Sequence, residues 1–166
     1  MEMERRTLFK VGAVMGIGAM VKALGLEAVI AKESGETFEV TKTDSEWRAI
    51  LSTEQYRVLR QEATESPFRN QYHDQKTQGT YHCVGCDLPL FSSQAKYDSE
   101  TGWPSFWEPI SVEAVGTKTD WRLIIPRTEV HCARCGGHQG HIFKDGPQPT
   151  GLRYCINSAA LAFHPA

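Results

Sequence analysis

Five cysteines carry most of the reactive chemistry of this chain. Four of them form two Cys-x-x-Cys pairs, Cys83 with Cys86 and Cys132 with Cys135. Two such pairs in one small chain are typical of a zinc ion bound by four thiolates, a closed structural site with no open position for a substrate. The fifth cysteine, Cys155, is then left free of the metal and available for chemistry at its sulfur atom.

Other uses of the paired cysteines stay open at this point. Two disulfides suit an exported protein. A thioredoxin-like redox pair requires a βαβ context, which the sequence does not indicate, and an iron–sulfur centre is a further alternative. Because 45 residues separate the two pairs, a shared zinc ion would close a long loop and join two distant hairpins, which should stabilise the fold.

Cys155 lies in the stretch Arg153–Asn157, which has the character of a β-strand. Alternation along a strand predicts that Arg153, Cys155 and Asn157 share one face. A guanidinium on that face favours the thiolate, which is the reactive form of cysteine. The alternative is a buried cysteine that acts as a small hydrophobic residue. Its polar neighbours favour the reactive thiol.

Two further segments contain residues suited to a small reactive pocket. Thr101–Trp107 is rich in aromatic residues, and its turn would let Trp103 form the wall of an apolar pocket, although such clusters also occur in cores. His138 and His141 follow the second cysteine pair. Imidazole is the side chain best suited to exchange protons near neutral pH. Ordinary polar roles are the alternative for both histidines.

Short helices followed by strands must position these residues. Thr43 and Ser52 each open a capping box, and these boxes predict two helices. The buried faces are predicted to consist of Trp47, Ile50 and Leu51 in the first helix and Tyr56, Val58 and Leu59 in the second. Beyond Pro67, glycine and proline punctuate short apolar runs, as in an antiparallel β fold.

The N-terminal segment is predicted to lie outside the fold. Arg5 and Arg6 precede an uncharged run, Val11–Val21, that is shorter than the roughly 20 residues needed to span a bilayer. The run fits the hydrophobic region of a signal peptide, and the arginine pair resembles a twin-arginine export signal. We therefore expect the export machinery of that route as a partner, and a location in the bacterial periplasm or on the outer face of the membrane. An uncleaved amphipathic helix or anchor is the alternative.

Length and composition fit one globular domain with a tail. The chain has 166 residues and a formal net charge of −2. We divide it into a signal or anchor (1–31), a linker (32–42) and a domain (43–166), and expect a monomer. Without a clustered basic face, the charge gives no footprint for nucleic acid and argues against a nucleic-acid-binding zinc ribbon.

With these motifs in view, the chain resembles the methionine-R-sulfoxide reductases of the B type. The motifs that carry the resemblance are Gly102–Phe106, His138–His141, Asp145–Pro147 and Arg153–Asn157. They occur in the family's order together with both cysteine pairs, and the resemblance extends from Trp47 to Phe163. It implies a mainly β fold of the β-tent type, with two antiparallel sheets, short N-terminal helices and one structural zinc ion.

The resemblance also implies roles for single residues. Cys155 matches the nucleophile and Arg153 the arginine beside it, while Trp103 walls the pocket for the S-methyl group of the substrate. The residues that match positions holding the substrate oxygen and its protons are His138, His141 and Asn157.

The chemistry needs such a set of groups. A sulfoxide oxygen leaves only when it is protonated, so the site requires a thiolate, an acid and an apolar socket. Phe143 would form the socket together with Trp103. Attack by Cys155 on methionine sulfoxide, in oxidised proteins or as the free amino acid, gives methionine and a cysteine sulfenic acid.

Two positions depart from the family pattern. Thr101 stands where many members have a resolving cysteine, so we predict that the sulfenic acid of Cys155 reacts directly with an external thiol reductant, such as a thioredoxin-like protein. Gln139 stands where the family often has an apolar residue, and we expect little effect.

The competing hypothesis is a zinc-clipped β module without catalytic activity. It would bind a small ligand or peptide in an aromatic cage formed by Trp103 and Trp107. Cys155 distinguishes the two hypotheses, because a binding module needs no thiol with Arg153 and Asn157 on its face.

Overall fold

The structure, a computed structural model, describes residues 37–166. Two short helices come first in this part of the chain. Helix α1 spans Asp44–Ile50 and helix α2 spans Thr53–Gln61. Both predicted capping boxes are complete, at Thr43 and at Ser52. Each box satisfies backbone N–H groups that a helix start otherwise leaves without partners. No helix among the described residues is long and apolar enough to cross a membrane.

The helices bury most of their predicted apolar residues. Trp47 in α1 and Leu51 just after it are buried, as are Tyr56, Val58 and Leu59 in α2. By contrast, Ile50 is 56% exposed, so its predicted burial is wrong. In such a short helix only one narrow face reaches the domain. Trp47 and Leu51, which are four positions apart, lie on that face.

The residues before α1 contact the domain. The predicted signal, residues 1–31, lies outside the described residues, as does the predicted linker up to residue 36. In the described part, the backbone N–H of Val40 donates to the carbonyl of Arg134 at 2.9 Å, and the ring of Phe38 packs edge-on against His131. This part of the predicted linker therefore packs against the domain as well as leading into it.

Nine strands of the described residues form two antiparallel sheets. Their bounds are β1 Gly79–Cys83, β2 Pro89–Ser92, β3 Lys96–Tyr97, β4 Ser105–Phe106, β5 Val115–Asp120, β6 Arg127–Cys132, β7 His138–Phe143, β8 Arg153–Ile156 and β9 Leu161–Pro165. One sheet has the order β2-β1-β9 and the other the order β3-β4-β8-β7-β6-β5. The predicted mainly β fold with two antiparallel sheets and short N-terminal helices is confirmed.

One hydrophobic cluster contains residues from both sheets and both helices. Tyr81 and Phe91 from the smaller sheet and Phe106 and Ile156 from the larger one are fully buried. The rings of Phe91 and Phe106 stack with centroids 4.5 Å apart. Aromatic contacts of this kind add to the stabilisation from buried apolar area, so the two sheets share a single core.

The cysteine pairs occupy two turns of the same type. Cys83 ends β1 in the smaller sheet and Cys132 ends β6 in the larger one. In each turn the carbonyl of the first cysteine accepts a hydrogen bond from the residue four positions later, which is Asp87 (2.8 Å) or Gly136 (2.9 Å). Those residues have φ of +60° and +67°. The same backbone path thus presents two sulfur atoms from each turn.

The four sulfur atoms fit a zinc ion. The Sγ atoms of Cys83 and Cys135 are 3.6 Å apart and those of Cys86 and Cys132 are 3.4 Å apart. Tetrahedral zinc with Zn–S bonds of about 2.3 Å holds its sulfurs roughly 3.8 Å apart, whereas a disulfide bond measures about 2.05 Å. The predicted site for one structural zinc ion is confirmed. Because its ligands come from both sheets, the ion joins them.

Gln139 contacts this metal site from the core. Its side chain is fully buried, and its amide nitrogen donates to the sulfur of Cys83 at 3.5 Å and to the carbonyl of Gly137 at 3.2 Å. Groups that hydrogen-bond metal ligands fix their orientation and tune the metal. The expectation that a polar residue at position 139 has little effect therefore misses a structural contact.

Candidate active site

A row of side chains crosses the larger sheet at the level of Cys155. The strand register pairs Cys155 with Ser105 on one side and with His141 on the other, and pairs His141 with Glu129. Directly paired residues of antiparallel strands point to the same face. Cys155 therefore stands in the middle of the sheet between a hydroxyl and an imidazole, while its neighbour Ile156 is buried in the core.

Cys155 opens into a small cavity of about 110 Å³. The predicted residues that line it are Trp103, His141, Phe143, Cys155 and Asn157. Thr64 and Arg127, which were not predicted, line it as well. Pockets for whole small-molecule ligands usually measure about 300–1,000 Å³, so this cavity suits the end of a side chain rather than a cofactor.

Three residues singled out by the sequence, His138, Trp107 and Arg153, do not line this cavity. His138 is almost fully buried behind His141, with ring centroids 5.3 Å apart, and its Nε2 has no hydrogen-bond partner among the described residues. Trp107 is half-buried elsewhere, so Trp103 and Trp107 form no aromatic cage around Cys155. The geometry therefore does not favour the cage of the binding-module hypothesis.

Glu129 holds two imidazoles in place. Its buried carboxylate lies 2.7 Å from Nδ1 of His138 and 3.0 Å from Nδ1 of His131. Burial opposes ionisation, but hydrogen bonds from the two histidines prevail and lower the pKa of Glu129 to about 2. Because an ionised carboxylate only accepts hydrogen bonds, both Nδ1 atoms carry protons.

His141 is fixed in the same way by Asp120. Its Nε2 lies 2.9 Å from Oδ2 of Asp120, which also accepts a hydrogen bond from Arg127 at 2.7 Å. The backbone N–H of Arg122 is the main cause that holds the pKa of Asp120 well below its usual range, although burial opposes it. The proton therefore stays on Nε2. Burial lowers the pKa of His141, so the ring is neutral at neutral pH and its Nδ1 is an acceptor.

Arg127 contributes a buried N–H donor that no sequence pattern marks. Its Nε is buried and has no hydrogen-bond partner among the described residues, while its Nη2 is bound to Asp120. An unpaired buried donor is costly. Because Arg127 lines the cavity, its positive charge lies beside any ligand bound there, although Nε itself is covered.

The sulfur of Cys155 rests as a thiol. Burial raises the pKa of Cys155 above the ordinary value, while Arg153 and the hydroxyl of Thr101 act in the opposite direction. The guanidinium of Arg153 is held by two hydrogen bonds to Asp145, of 2.9 and 2.8 Å, and lies over the ring of Phe143. Arg153 therefore acts in the predicted direction, toward the thiolate, but burial of the sulfur outweighs it.

Hydroxyl groups occupy the side of Cys155 opposite His141. The hydroxyl of Ser99 lies 2.8 Å from that of Thr101 and 2.7 Å from that of Ser105. Thr101 also interacts with the thiol of Cys155. This cluster contains no second thiol at the position where the resemblance implies a resolving cysteine in other proteins.

Glu65 connects the walls of the cavity. Its backbone N–H donates to Oδ1 of Asn157 at 3.1 Å, and its carbonyl accepts from Nε1 of Trp103 at 3.1 Å. Its carboxylate accepts from the backbone N–H groups of Ser158 and Ala159. Burial raises the pKa of Glu65, against the effect of these hydrogen bonds. Nothing in the local sequence marks Glu65, because its partners lie 38 or more positions away along the chain.

Asn157 lies just beyond the end of β8, and its side chain is used to build the wall. Its Oδ1 accepts from Glu65, and its Nδ2 donates to the carbonyl of Gln139 at 3.0 Å. It lines the cavity as predicted, but both ends of its amide are bound to the backbone. The structure therefore gives Asn157 a positioning role, where the resemblance implied direct contact with a substrate oxygen.

Comparison with known proteins identifies the family. A family model described as SelR domain matches residues 51–165, which is more than half of the chain. This chain belongs to the SelR domain family. The match contains the cavity, Cys155 and all four zinc-site cysteines.

Two bacterial relatives are similar to this chain over nearly their whole length, and a plant relative over part of its length. The peptide methionine sulfoxide reductase MsrB of Thiobacillus denitrificans is 57% identical over 124 residues, which cover 75% of this chain and 94% of the relative. The protein of the same name from Hahella chejuensis is 53% identical over 128 residues, 77% of this chain and 92% of the relative. The chloroplastic peptide methionine sulfoxide reductase B1 of Oryza sativa is 54% identical over 125 residues, 75% of this chain and 58% of the relative.

The buried setting of Cys155 makes its reactivity depend on pH. Because burial raises its pKa, little thiolate exists at neutral pH, and alkylation by iodoacetamide should accelerate up to pH values above the ordinary cysteine range. Arg153→Met removes the main opposing charge and should slow alkylation at neutral pH about tenfold for each unit by which the pKa rises further. Mass spectrometry of the Cys155 peptide measures both rates.

Arg153→Lys keeps the charge and serves as the matched control, which should stay closer to the unmodified protein. A midpoint of alkylation below that of free cysteine, or equal rates in the Met and Lys variants, would contradict this account.

Proposed function

We propose that this chain reduces methionine-R-sulfoxide to methionine, with Cys155 as the nucleophile. The observation that carries the proposal is the thiol outside the zinc cluster, which opens beside His141 into a small cavity walled by Trp103 and Phe143. The curated relatives described above bear the name of this activity. The family match, residues 51–165, contains the whole described site.

The cavity supports one orientation of the substrate. The methyl group of the sulfoxide lies against the aromatic walls, because its burial there removes apolar surface from water. The oxygen then faces the side of Arg127 and His141, where the positive charge of Arg127 favours a partly negative oxygen. Only one sulfoxide epimer can satisfy both contacts while its sulfur faces Cys155. The site thus selects one configuration at sulfur.

The reaction needs a proton to move from the thiol to the oxygen. Neutral His141 accepts the proton of Cys155 at Nδ1, since its Nε2 proton is held by Asp120. The thiolate attacks the sulfoxide sulfur and forms an S–S bond, and His141 returns the proton to the oxygen. The hydroxyl then moves to the cysteine sulfur, as the S–S bond and the original S–O bond break and the electron pair stays on the substrate sulfur. Methionine and a Cys155 sulfenic acid result, so that the substrate sulfur is reduced and the cysteine sulfur is oxidised.

An external thiol completes the cycle. A first reductant thiol condenses with the sulfenic acid, which releases water and forms a mixed disulfide. A second thiol then frees Cys155 and leaves the reductant as a disulfide. The hydroxyl of Thr101 next to Cys155 and the enclosure of the other cysteines in the zinc site support a direct reaction with an external, thioredoxin-like reductant.

Replacement of the nucleophile should separate chemistry from folding. Cys155→Ser should abolish reduction of methionine-R-sulfoxide with dithiothreitol as reductant, because a hydroxyl at this site is a far weaker nucleophile, while zinc content and thermal stability stay unchanged. In the unmodified protein, treatment with the R sulfoxide alone should yield a dimedone-reactive sulfenic acid at Cys155. Turnover by the serine variant, or an internal disulfide of Cys155 in the oxidised protein, would contradict the proposal.

An exposed apolar loop beside the cavity supports polypeptide substrates. Residues 121–125, which we call the apolar loop, connect β5 and β6. Its apolar side chains are strongly exposed, with Trp121 at 75%, Ile125 at 76% and Ile124 at 103%. The flanking residues, Asp120 and Arg127, contact the active site directly. Exposed apolar patches mark interaction sites, and an oxidised, unfolded polypeptide offers apolar residues on either side of its sulfoxide.

Ile124→Ser tests this role of the apolar loop. On an oxidised, unfolded protein, kcat/KM should fall about tenfold, which corresponds to the loss of about 1.4 kcal/mol of apolar contact. On N-acetylmethionine-R-sulfoxide, which is too small to reach the loop, kcat/KM should not change.

Val112→Ser is the matched control, because Val112 is 77% exposed and lies beyond the opposite end of β5. Equal losses on both substrates, or an equal loss in the control variant, would refute the proposed contact.

We further propose that residues 1–31 direct export by the twin-arginine route, and that the domain acts as a monomer in the periplasm or on the outer face of the membrane. The Arg5–Arg6 pair and the short uncharged run after it support this location. A route that carries folded proteins also suits the zinc site, since the metal can be bound before transport.

Cell fractionation tests the location. The unmodified chain should be recovered outside the cytoplasm, and the double substitution Arg5→Lys, Arg6→Lys should retain it inside, because the substitution removes the arginine pair while keeping the charge. Recovery of the unmodified chain in the cytoplasm would refute the proposal. Size-exclusion chromatography of the exported form checks the monomeric state.

A further inference from the structure

A second group of metal-ligating side chains lies on the smaller sheet, outside the active site. In the β1–β9 ladder His82 pairs with Ala162, two residues before His164. The two histidines are therefore diagonal neighbours on one face of the sheet. Tyr81, next to His82 in sequence, is fully buried, so the histidines occupy the opposite, outer face. Asp87 reaches the same point from the first zinc turn.

These three side chains converge on one place. The imidazole rings of His82 and His164 stack with centroids 4.0 Å apart. Oδ1 of Asp87 lies 3.1 Å from Nδ1 of His82 and 3.3 Å from Nε2 of His164. Tetrahedral zinc with ligands at about 2.0–2.1 Å keeps neighbouring donor atoms roughly 3.3 Å apart. The contacts of the carboxylate oxygen to both nitrogens match this spacing.

The backbone at Asp87 shows an unusual choice of residue. Asp87 has φ of +60°, and the residue at the same place in the second zinc turn, Gly136, has φ of +67°. Glycine adopts this conformation freely, and aspartate is one of the few other residues that tolerate it. The hydrogen bond to the carbonyl of Cys83 fixes Asp87 at 2.8 Å. The carboxylate is thus held toward the histidines by the turn that binds the structural zinc.

We propose that His82, Asp87 and His164 bind a second divalent transition-metal ion, of the class represented by Zn²⁺. Two imidazoles and one carboxylate form the ligand set of an open zinc site, in which water fills the remaining position. The side chains of Asp87 and His164 are 70% and 49% exposed, so the ion has access from solvent. An imidazole binds a metal in the plane of its ring, and the two rings now lie 6° from parallel, so one ring would turn as the ion binds. The bound ion would replace the contacts that now link the three side chains and the contact of 3.0 Å between Nδ1 of His82 and the backbone carbonyl of Asp87.

Such an ion would connect the last strand of the fold to the first. His164 lies in β9 and His82 in β1, while Asp87 belongs to the turn between β1 and β2. A ligand that binds only the folded state stabilises it in proportion to the logarithm of its concentration above Kd. The site would therefore make the stability of the C-terminal strand depend on free metal, independently of the ion held by the four cysteines.

Equilibrium dialysis of the full chain against Zn²⁺, with metal counted by mass spectrometry, tests the proposal. The unmodified chain should bind one zinc ion beyond that of the four cysteines, and its Tm should rise with free Zn²⁺. His164→Ala and Asp87→Asn should each weaken this additional binding about tenfold or more, because even changes to groups that only support a ligand cost about 10- to 100-fold. Both variants should keep the first zinc ion and full reductase activity.

His73→Ala is the matched control. His73 also has an aspartate nearby, with Nδ1 3.9 Å from Asp74, but it belongs to no three-residue cluster among the described residues. The His73→Ala variant should bind the additional zinc ion as the unmodified chain does. The proposal is overturned if no saturable additional ion binds, or if that ion binds equally well to His164→Ala and Asp87→Asn.

Discussion

Four cysteine sulfurs that converge on one point hold this fold together. In each sheet one cysteine ends a strand and its partner lies in the turn that follows, so coordination of a single ion connects segments that lie far apart in sequence. The energy of metal binding is available only when both turns are formed, and it therefore contributes directly to folding. The β strands are short, and two of them have only two residues. Such strands need a fixed frame before they can hold a catalytic geometry.

Within that frame, buried carboxylates determine where protons reside. An isolated carboxylate is costly to bury, but a carboxylate that accepts several hydrogen bonds is tolerated. The carboxylate of Glu129 accepts from two imidazoles, and that of Asp120 from an imidazole, a guanidinium and a backbone N–H group. The carboxylate of Glu65 accepts from backbone N–H groups. Glu129 and Asp120 fix the tautomers of histidines near the cavity, and Glu65 fixes the walls of the cavity. The reactive thiol itself stays neutral, so most of the charge is placed one layer away from the reacting atoms.

The sequence allowed those parts of the structure to be predicted that depend on local patterns. The capping boxes at Thr43 and Ser52, the two cysteine turns and the strand around Cys155 each follow from residues within a few positions of one another. Glu65 and Arg127 escaped prediction because their roles arise from contacts across the folded chain. The effect of Arg153 on Cys155 was predicted in the right direction, but neighbours in sequence do not reveal the desolvation that outweighs it.

The hydroxyl groups on one side of Cys155 affect the lifetime of its oxidised form. Once the sulfur carries an oxygen atom, Thr101 and Ser105 can solvate it but cannot condense with it. The lifetime of the oxidised state is then governed by collisions with another molecule, and turnover slows in proportion as that molecule becomes scarce. In the same interval a further oxidant can carry the sulfur to the sulfinic level, which is not readily reversed. A repair protein of this kind has no internal thiol beside the oxidised cysteine to protect it, but the oxidised form can react with any suitable external thiol.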